Sequence, residues 1–486
     1  MRALAASTFL VLAAASQTAR AEDVLTLEQI IHVAVRQSPD FARASLERTA
    51  AAGSYEAASG IEDTHISAIA SVDATKDQPV DPITYNNFIA ITGGVSLSKL
   101  FSTGTLVAIG VQSTRTRGTR PLDNLLNIGY TSGASVSITQ PLLRGFGAEG
   151  TEALIRDTAH GVDAARLAEA AKGRDAIVAI TQAYWQVALA WRQLEVRKSS
   201  LELGQKQLDL TEAAIRSDKI AKSESLAVQQ VMAIRQQDVI AAEQLVVERS
   251  LALRQLAGLD IDAASLNVPT QPLPKVEPIP LDVEAVVKAV FDHSAELAAI
   301  HEQVLAAGAS VAGAENAARS RLDLVVEAGP QGTSTQFGQS FSDASQGKGY
   351  VVTGSLTFDH AFERRIERGN LALARARLQR VKIDERAARA RVAATTTRAL
   401  QRAKAALASV ALGEKAITLA QQNLEAEQHR FELAKSSNFD IIRRQDELEV
   451  ARLRLASSIV DYTNARADLD GLTGDILGHW GVTFPK

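Results

Sequence analysis

The chain has no cysteine. Neither a disulfide framework nor a lipid-attachment cysteine is therefore available to it. Methionine occurs only at Met1 and Met232, which argues against a methionine-lined metal path. Aromatic residues make up 5% of the sequence and proline is nearly absent from its periodic stretches. A net charge of -4, with no clustered basic run, gives no footing for a nucleic-acid partner. Beyond the N-terminus, no stretch approaches the roughly 18 uncharged apolar residues of a spanning helix, so any passage through a membrane must use strands. Catalytic signatures are missing too: there is no H-E-x-x-H and no G-x-S-x-G. The eight histidines (His32, His65, His160, His293, His301, His360, His429, His479) make no metal-ligand spacing. No enzyme activity, metal or cofactor is expected.

What is present is a long, alanine-rich, charge-interspersed helical pattern. In its most regular part Ile441, Leu448, Leu455, Tyr462 and Leu469 recur every seven residues, with Ala451, Ser458, Ala465 and Leu472 three places after four of them. Leu453, Val460 and Ala467 form another such line, about 140° round the helix. Two seams on one helix imply a partner on each flank. A tight turn at Lys435-Ser436-Ser437-Asn438 precedes this helix.

The plan occurs twice. Leu25–Ser45 lies over Leu281–His301, with Glu28 on Glu284 and Ser38 on Ser294. Around the turns Lys219 matches Lys435, Glu224 matches Asp440 and Gln229 matches Gln445, followed by the heptad line Met232, Val239, Val246 and Leu253. Val268–Pro280 is an extended, proline-rich connector.

At the start, Arg2, the apolar Phe9–Ala15 and Ala19-Arg20-Ala21 read as a secretory signal over 1–21. The expected order is then 22–60 helix, 61–143 strands, 144–262 long helical hairpin, 263–280 linker, 281–320 helix, 321–360 β-hairpin, 361–474 long helical hairpin and 475–486 tail. The strands alternate with period two. Ile89, Ile91, Val95 and Leu97 share one face; so do Val136 and Ile138, then Leu322, Leu324 and Val326, then Val352, Leu356 and Phe358. Loops at Thr75–Asn87, Thr116–Asn127 and Pro330–Lys348 are polar. Such strands suit a soluble sandwich or a membrane barrel. Their length favours the barrel, which so few strands cannot close without several subunits.

The literal G-x-G-x-x-G at Gly145–Gly150 stands between a strand and a helix, yet its strand is not buried on both faces. The glycines read as a bend.

The duplicated plan resembles the TolC-type outer membrane efflux proteins. So do RFELAKSSNFDIIRRQDELEVARLRL at the turn, TQPLLRGFG (Thr139–Gly147) and FERRIERGNLALARARL (Phe362–Leu378); the resemblance covers Leu25–Gly474. It implies a mostly α protomer with β strands, a tandem-duplicated helix–β-hairpin–helix. Three copies would share an outer-membrane β-barrel continued by a periplasmic α-helical barrel. The helices near 152–215 and 364–434 would span roughly 95 and 105 Å.

The implied function is a passive exit duct in a tripartite efflux or type I secretion system, with a periplasmic adaptor, an inner-membrane pump and outer-membrane lipid as partners. The alternative is a periplasmic coiled-coil scaffold or adaptor with a soluble β domain. Carried over by position, Asp440 is the acid ring at the periplasmic gate, Glu224 its first-half counterpart and Phe431 the gate aromatic, without a hydroxyl. Arg443, one turn after Asp440, is placed to pair with it. The plainer role for Asp440 is to cap its helix, and the two are compatible. Lys219, Lys435, Ser436, Ser437 and Asn438 are the implied adaptor-docking tips; solvated turn residues are the alternative.

One departure stands out. The interval Ser54–Glu224 exceeds Ser310–Asp440 by about 40 residues, matching an extra hairpin that includes Leu106–Val111. About six strands are expected where the family pattern has four. Either the barrel is larger or one hairpin lies outside it.

Overall fold

The computed structural model describes residues 24–76, 87–119, 126–217, 221–261, 266–278, 282–433 and 435–482. The signal-like segment 1–21 lies outside the described residues, as do Lys219 and most of the first two polar loops.

In chain order the first half contains α1 (Leu27–Gln37), α2 (Pro39–Ser59), β1 (Thr64–Lys76), β2 (Asn87–Leu100), β3 (Leu106–Thr119), β4 (Leu126–Pro141), α3 (Ala148–Thr151), α4 (Ala153–Arg216) and α5 (Ser223–Ala257). The second half contains α6 (Val283–His293), α7 (Ala295–Ala317), β5 (Arg321–Ser334), α8 (Phe337–Ser345), β6 (Tyr350–Asp359), α9 (Arg365–Glu432), α10 (Asn438–Thr473) and α11 (Asp475–His479). The repeat extends to local detail. Each opening helix breaks at the matched serine, and both serines are buried. Ser38 is extended (ψ 132°) because the following Pro39 disfavours the helical conformation in the residue before it. Ser294 is extended as well, and its hydroxyl accepts from Leu297 N at 3.3 Å as an N-cap.

The chain forms two compact units. One comprises Met1–Ala42, Lys172–His293 and Ala393–Lys486; the other comprises Arg43–Ala171 and Ser294–Val392.

In the first unit, Ile177, Ile180, Tyr184 and Val187 of α4 pack with Ile30, Ile31 and Ala34 of α1, Leu253 and Ala257 of α5, and Ala456 and Val460 of α10. On its other flank α10 places Ala465 and Leu469 against Ala399, Leu400 and Ala403 of α9. The two heptad lines thus meet different partners. The connector is held by its backbone. Trp191 donates to Val268 O (2.9 Å), while the Tyr184 hydroxyl donates to Leu25 O (3.0 Å) and accepts from Gln271 N (2.9 Å). Gly258 ends α5 in the left-handed region (φ 70°), and a Cβ there would lie 2.4 Å from Gln37 O.

The second unit contains one antiparallel sheet in the order β1-β2-β3-β4-β5-β6. The extra hairpin, β2 and β3, is therefore inside the sheet and hydrogen-bonded on both sides. Register puts Ile66, Leu97, Ile109, Val136, Ala328 and Val352 in one row across all six strands, on a common face. That face is bare over much of its extent: Ile66 is 76% exposed, Val95 58% and Leu356 64%. The opposite face carries Ser67, Ser96, Thr92, Thr114, Ser137 and Glu327, with Ile69, Phe88, Leu106, Val325 and Val351 among its larger apolar members. Its hydroxyls meet between strands, Ser67 with Ser96 at 2.7 Å and Thr92 with Thr114 at 3.0 Å.

Strands run further than the apolar alternation alone predicts, because Ser and Thr continue the alternation beyond Val111 and before Ser135. The expected loop Pro330–Lys348 also differs. β5 continues to Ser334, and α8 folds back on the apolar face. There Ser340 meets Ser132 (2.8 Å), which pairs with Ser113 (2.7 Å), and Phe337 sits edge-on to Tyr130. Gly332 admits this helix, since a Cβ would lie 2.1 Å from Ser340 O. α8 thus covers the Ser113–Ser132 part of the apolar face, while Arg115 and Arg117 on the same face of β3 remain exposed.

Gly145 (φ 86°) and Gly147 (φ 78°) turn the chain from β4 into α3, as the bend reading expects. Asn316 of α7, itself buried, accepts from Gly145 N at 2.7 Å and fixes the turn. The β2–β3 turn is joined to the same place: Gly147 N donates to Thr103 O (3.0 Å), and a Cβ on Gly104 would lie 2.1 Å from Gly145 O.

Candidate functional site

The tips of the two helical hairpins, α4–α5 and α9–α10, carry the predicted site residues and lie within the first unit. Ser437 is the N-cap of α10. Its hydroxyl accepts from Asp440 N (3.3 Å), and the Asp440 carboxylate accepts from Ser437 N (3.2 Å) and Ser437 Oγ (2.7 Å). This is a reciprocal capping box, with the acid in the first turn. Hydrogen bonds from Ser437 hold the Asp440 carboxyl below the usual range, with Arg430 and Arg444 adding to the effect. The capping role is realised in the geometry.

Arg443 does not turn to Asp440. Its Nε lies 3.3 Å from Glu447 Oε1, one turn further along, and Arg444 takes the other Glu447 oxygen at 2.7 Å. The i,i+4 partner wins because Asp440 is already engaged by the cap. Glu447 is consequently held below its ordinary pKa, chiefly by Arg444. Phe431 packs beside Leu424, Ile441 and Leu448.

In the turn, Lys435 and Ser437 are exposed, and Ser436 donates to Glu427 at 2.6 Å. Asn438 departs from the expected surface position: it is 2% exposed. Its amide oxygen accepts from Gln207 (2.8 Å) and Thr211 (2.9 Å) of α4, and its amide nitrogen donates to Glu224 of α5 at 3.3 Å. Glu224 is therefore the only predicted first-half tip residue that the described residues bring into contact with the second-half turn. Lys219 lies outside the described residues.

Just behind the tip runs a second polar layer that the apolar pattern did not predict. Arg235 of α5, 5% exposed, donates to Ser200 O, Gln445 Oε1 and Asp446 Oδ1, each at 2.9 Å. Arg197 of α4 bonds Asp238 (3.0 Å) and Glu449. Gly204 makes room, since a Cβ would lie 2.7 Å from Met232 Sδ and 2.9 Å from Arg235 Nη1. A signal for this layer exists: Arg235 follows Met232 by three and precedes Ala242 by seven, so a charge occupies a core position of the heptad. Buried and bonded on several sides, such groups fix the register of three helices and make their separation costly.

No protein-family model matches the sequence, and no curated protein matches it. Solved structures do match. The chain is similar to the outer-membrane channel OprN, with 14% identity and a TM-score of 0.69 over 92% of this chain and 89% of that one. It is similar to the outer membrane protein VceC from Vibrio cholerae, with 17% identity and a TM-score of 0.69 over 92% and 96%. The same holds for the CmeC outer membrane channel of Campylobacter jejuni, with 12% identity and a TM-score of 0.68 over 92% and 85%. The chain has the fold of the TolC-type outer-membrane channels.

Proposed function

We propose that this protein is an outer-membrane exit duct, a homotrimer that carries small molecules out of the cell in a tripartite efflux system. Type I secretion of a polypeptide is the alternative cargo for the same duct. The observation that carries the reading is the sheet: one apolar face bare over much of its extent, one hydroxyl-lined face and, among the described residues, two unpaired edge strands and no closure within one chain. In lipid the apolar face meets hydrocarbon and the polar face meets water, which only a closed barrel allows. Among the described residues no helix is long and apolar enough to cross a membrane, so the strands do this work. A periplasmic scaffold with a soluble β domain would need a cover for the apolar face, and among the described residues α8 covers a single patch of it.

The hairpin tips are the proposed periplasmic gate. Three copies of Asp440 near a narrow axis repel one another and attract cations, while each also caps its own helix. Glu224, Phe431 and Arg443 line or support the same tip. Lys435, Ser436 and Ser437 form the proposed docking surface for a periplasmic adaptor, with Lys219 as the first-half counterpart. Asn438 instead ties the two hairpins together. An inner-membrane pump supplies the energy, and the duct itself is passive.

Fractionation tests the reading. The protein is expected in detergent-solubilised outer membrane as a trimer, copurifying with an adaptor and a pump. Recovery as a monomer in the soluble periplasmic extract overturns it.

A further inference from the structure

The family pattern implies four strands per protomer, and this chain places six in one sheet. We infer that β2 and β3 are staves of the membrane barrel, so that three copies close a ring of eighteen strands by pairing β6 of each copy with β1 of the next. This rests on the exit-duct reading and adds the size of its opening.

Three observations carry it. First, pairing is continuous. β2 has partners on β1 from Asn87 to Lys99 and on β3 from Asn87 to Leu100, and β3 pairs with β4 along its whole length. Second, the apolar face does not skip the hairpin. Ile89, Ile91, Val95, Leu97, Ile109 and Val111 lie in the same band as Ile66, Val136 and Leu356, and all of them are exposed; toward the far end of β3 this face turns charged, at Arg115 and Arg117. A lid or collar in water would leave that whole strip exposed, which the hydrophobic effect opposes. Third, the hairpin is fastened at its turn, where Gly147 N bonds Thr103 O and Gly104 lies against Gly145. That leaves no hinge from which it would swing out.

The edges fit as well. With six alternating strands, β1 and β6 run antiparallel, so β6 of one copy meets β1 of the next in antiparallel fashion. At about 4.8 Å between strands and a tilt of about 40°, eighteen strands make a backbone ring about 36 Å across, against about 24 Å for twelve. The cross-section is then roughly twofold larger. The face turned to the lumen is built mainly of Ser, Thr and Gly, including Ser67, Thr92, Gly94, Gly110, Gly133 and Ser137, so side chains fill little of it. A water-filled opening of this width does not sieve small solutes.

The natural absence of cysteine makes a direct test available. Ser67 and Ser96 oxygens are 2.7 Å apart across β1–β2, and Ser113 and Ser132 oxygens are 2.7 Å apart across β3–β4. The variants Ser67→Cys/Ser96→Cys and Ser113→Cys/Ser132→Cys are purified from outer membrane in detergent and labelled with maleimide-polyethylene glycol, with and without reductant. Both pairs are expected to be oxidised, taking label only after reduction, and an electron cryomicroscopy map of the unaltered protein should show eighteen strands. Free thiols in both membrane-inserted variants, or a ring of twelve strands with β2 and β3 outside it, overturn the inference and leave the duct intact. A soluble monomer instead overturns the duct reading itself.

Discussion

Arg235 and Gln445 meet in the interior of the hairpin tip, the guanidinium Nη1 2.9 Å from the amide oxygen, with both residues 5% exposed or less. The contact joins α5 of the first half to α10 of the second. It also uses a residue that the repeat itself supplies, since Gln445 is the counterpart of Gln229.

Removing the guanidinium should therefore loosen the tip before anything else. Arg235→Met leaves the buried Gln445 amide oxygen without its donor, and a loss of about 2–4 kcal/mol is expected. Asp446 softens the effect because it reaches solvent. Proteolysis of the hairpins in detergent-purified protein is the readout, and the double variant Arg235→Met/Gln445→Met should recover part of the loss. Additive losses would show that the two side chains do not act together.

At the start of α10 the prediction concerns pH. Because Ser437 holds the Asp440 carboxyl below its ordinary pKa, the cap's contribution is present in full above the unfolded carboxylate value of about 3.9 and fades as pH falls through the lower folded value. Ser437→Ala should cost about 1 kcal/mol of helix stability. Asp440→Asn should reduce cation preference in planar bilayers. Unchanged conductance and selectivity would mean that Asp440 is a cap and nothing more.

Asp468 shows the opposite sign. Burial raises its pKa, against the opposing effects of a 2.7 Å hydrogen bond from Gln182 and the charge of Arg402. The folded state then binds its proton more readily than the unfolded chain, so ionisation weakens the fold as pH rises past the carboxylate range. Asp468→Asn keeps an acceptor for Gln182. Its advantage over the unaltered protein should be nil at low pH, grow as pH rises through the raised pKa, and then level off. Thermal melts at a series of pH values check this; a variant less stable at pH 7 than at pH 4, relative to the unaltered protein, contradicts it.

In the sheet unit, Asn316→Ala leaves Gly145 N without its acceptor and frees the strand-to-helix turn. A loss of about 1–3 kcal/mol is expected. Its signature is faster amide exchange at Gly145 and Phe146 while the exchange of α10 is unchanged.

Much of this molecule is legible from spacing. The period of seven at Ile441, Leu448, Tyr462 and Leu469 gave a buried line, and the second line met a different helix at Val460, as two seams require. The repeat aligned Ser38 with Ser294, but 22–60 and 281–320 read as one helix each, and the break at both serines is seen only in the structure. The tip was harder. Asn438 looks like a turn residue in sequence, and only the meeting of α4, α5 and α10 buries it. Arg443 had two carboxylates within a turn, and the choice of Glu447 depended on Ser437 having taken Asp440.

Periodicity is a property of one segment and its neighbours along the chain, so the sequence by itself determined the duplicated plan, the long paired helices and the two-faced strands. How the two strand sets join at β4–β5, how the first-half helices meet Asn438 and Gln445 of the second half, and where α8 lies are decided by groups more than a hundred residues apart in sequence. Those contacts depend on distances and angles in three dimensions, which side-chain character alone does not specify, and only the tertiary structure fixes them.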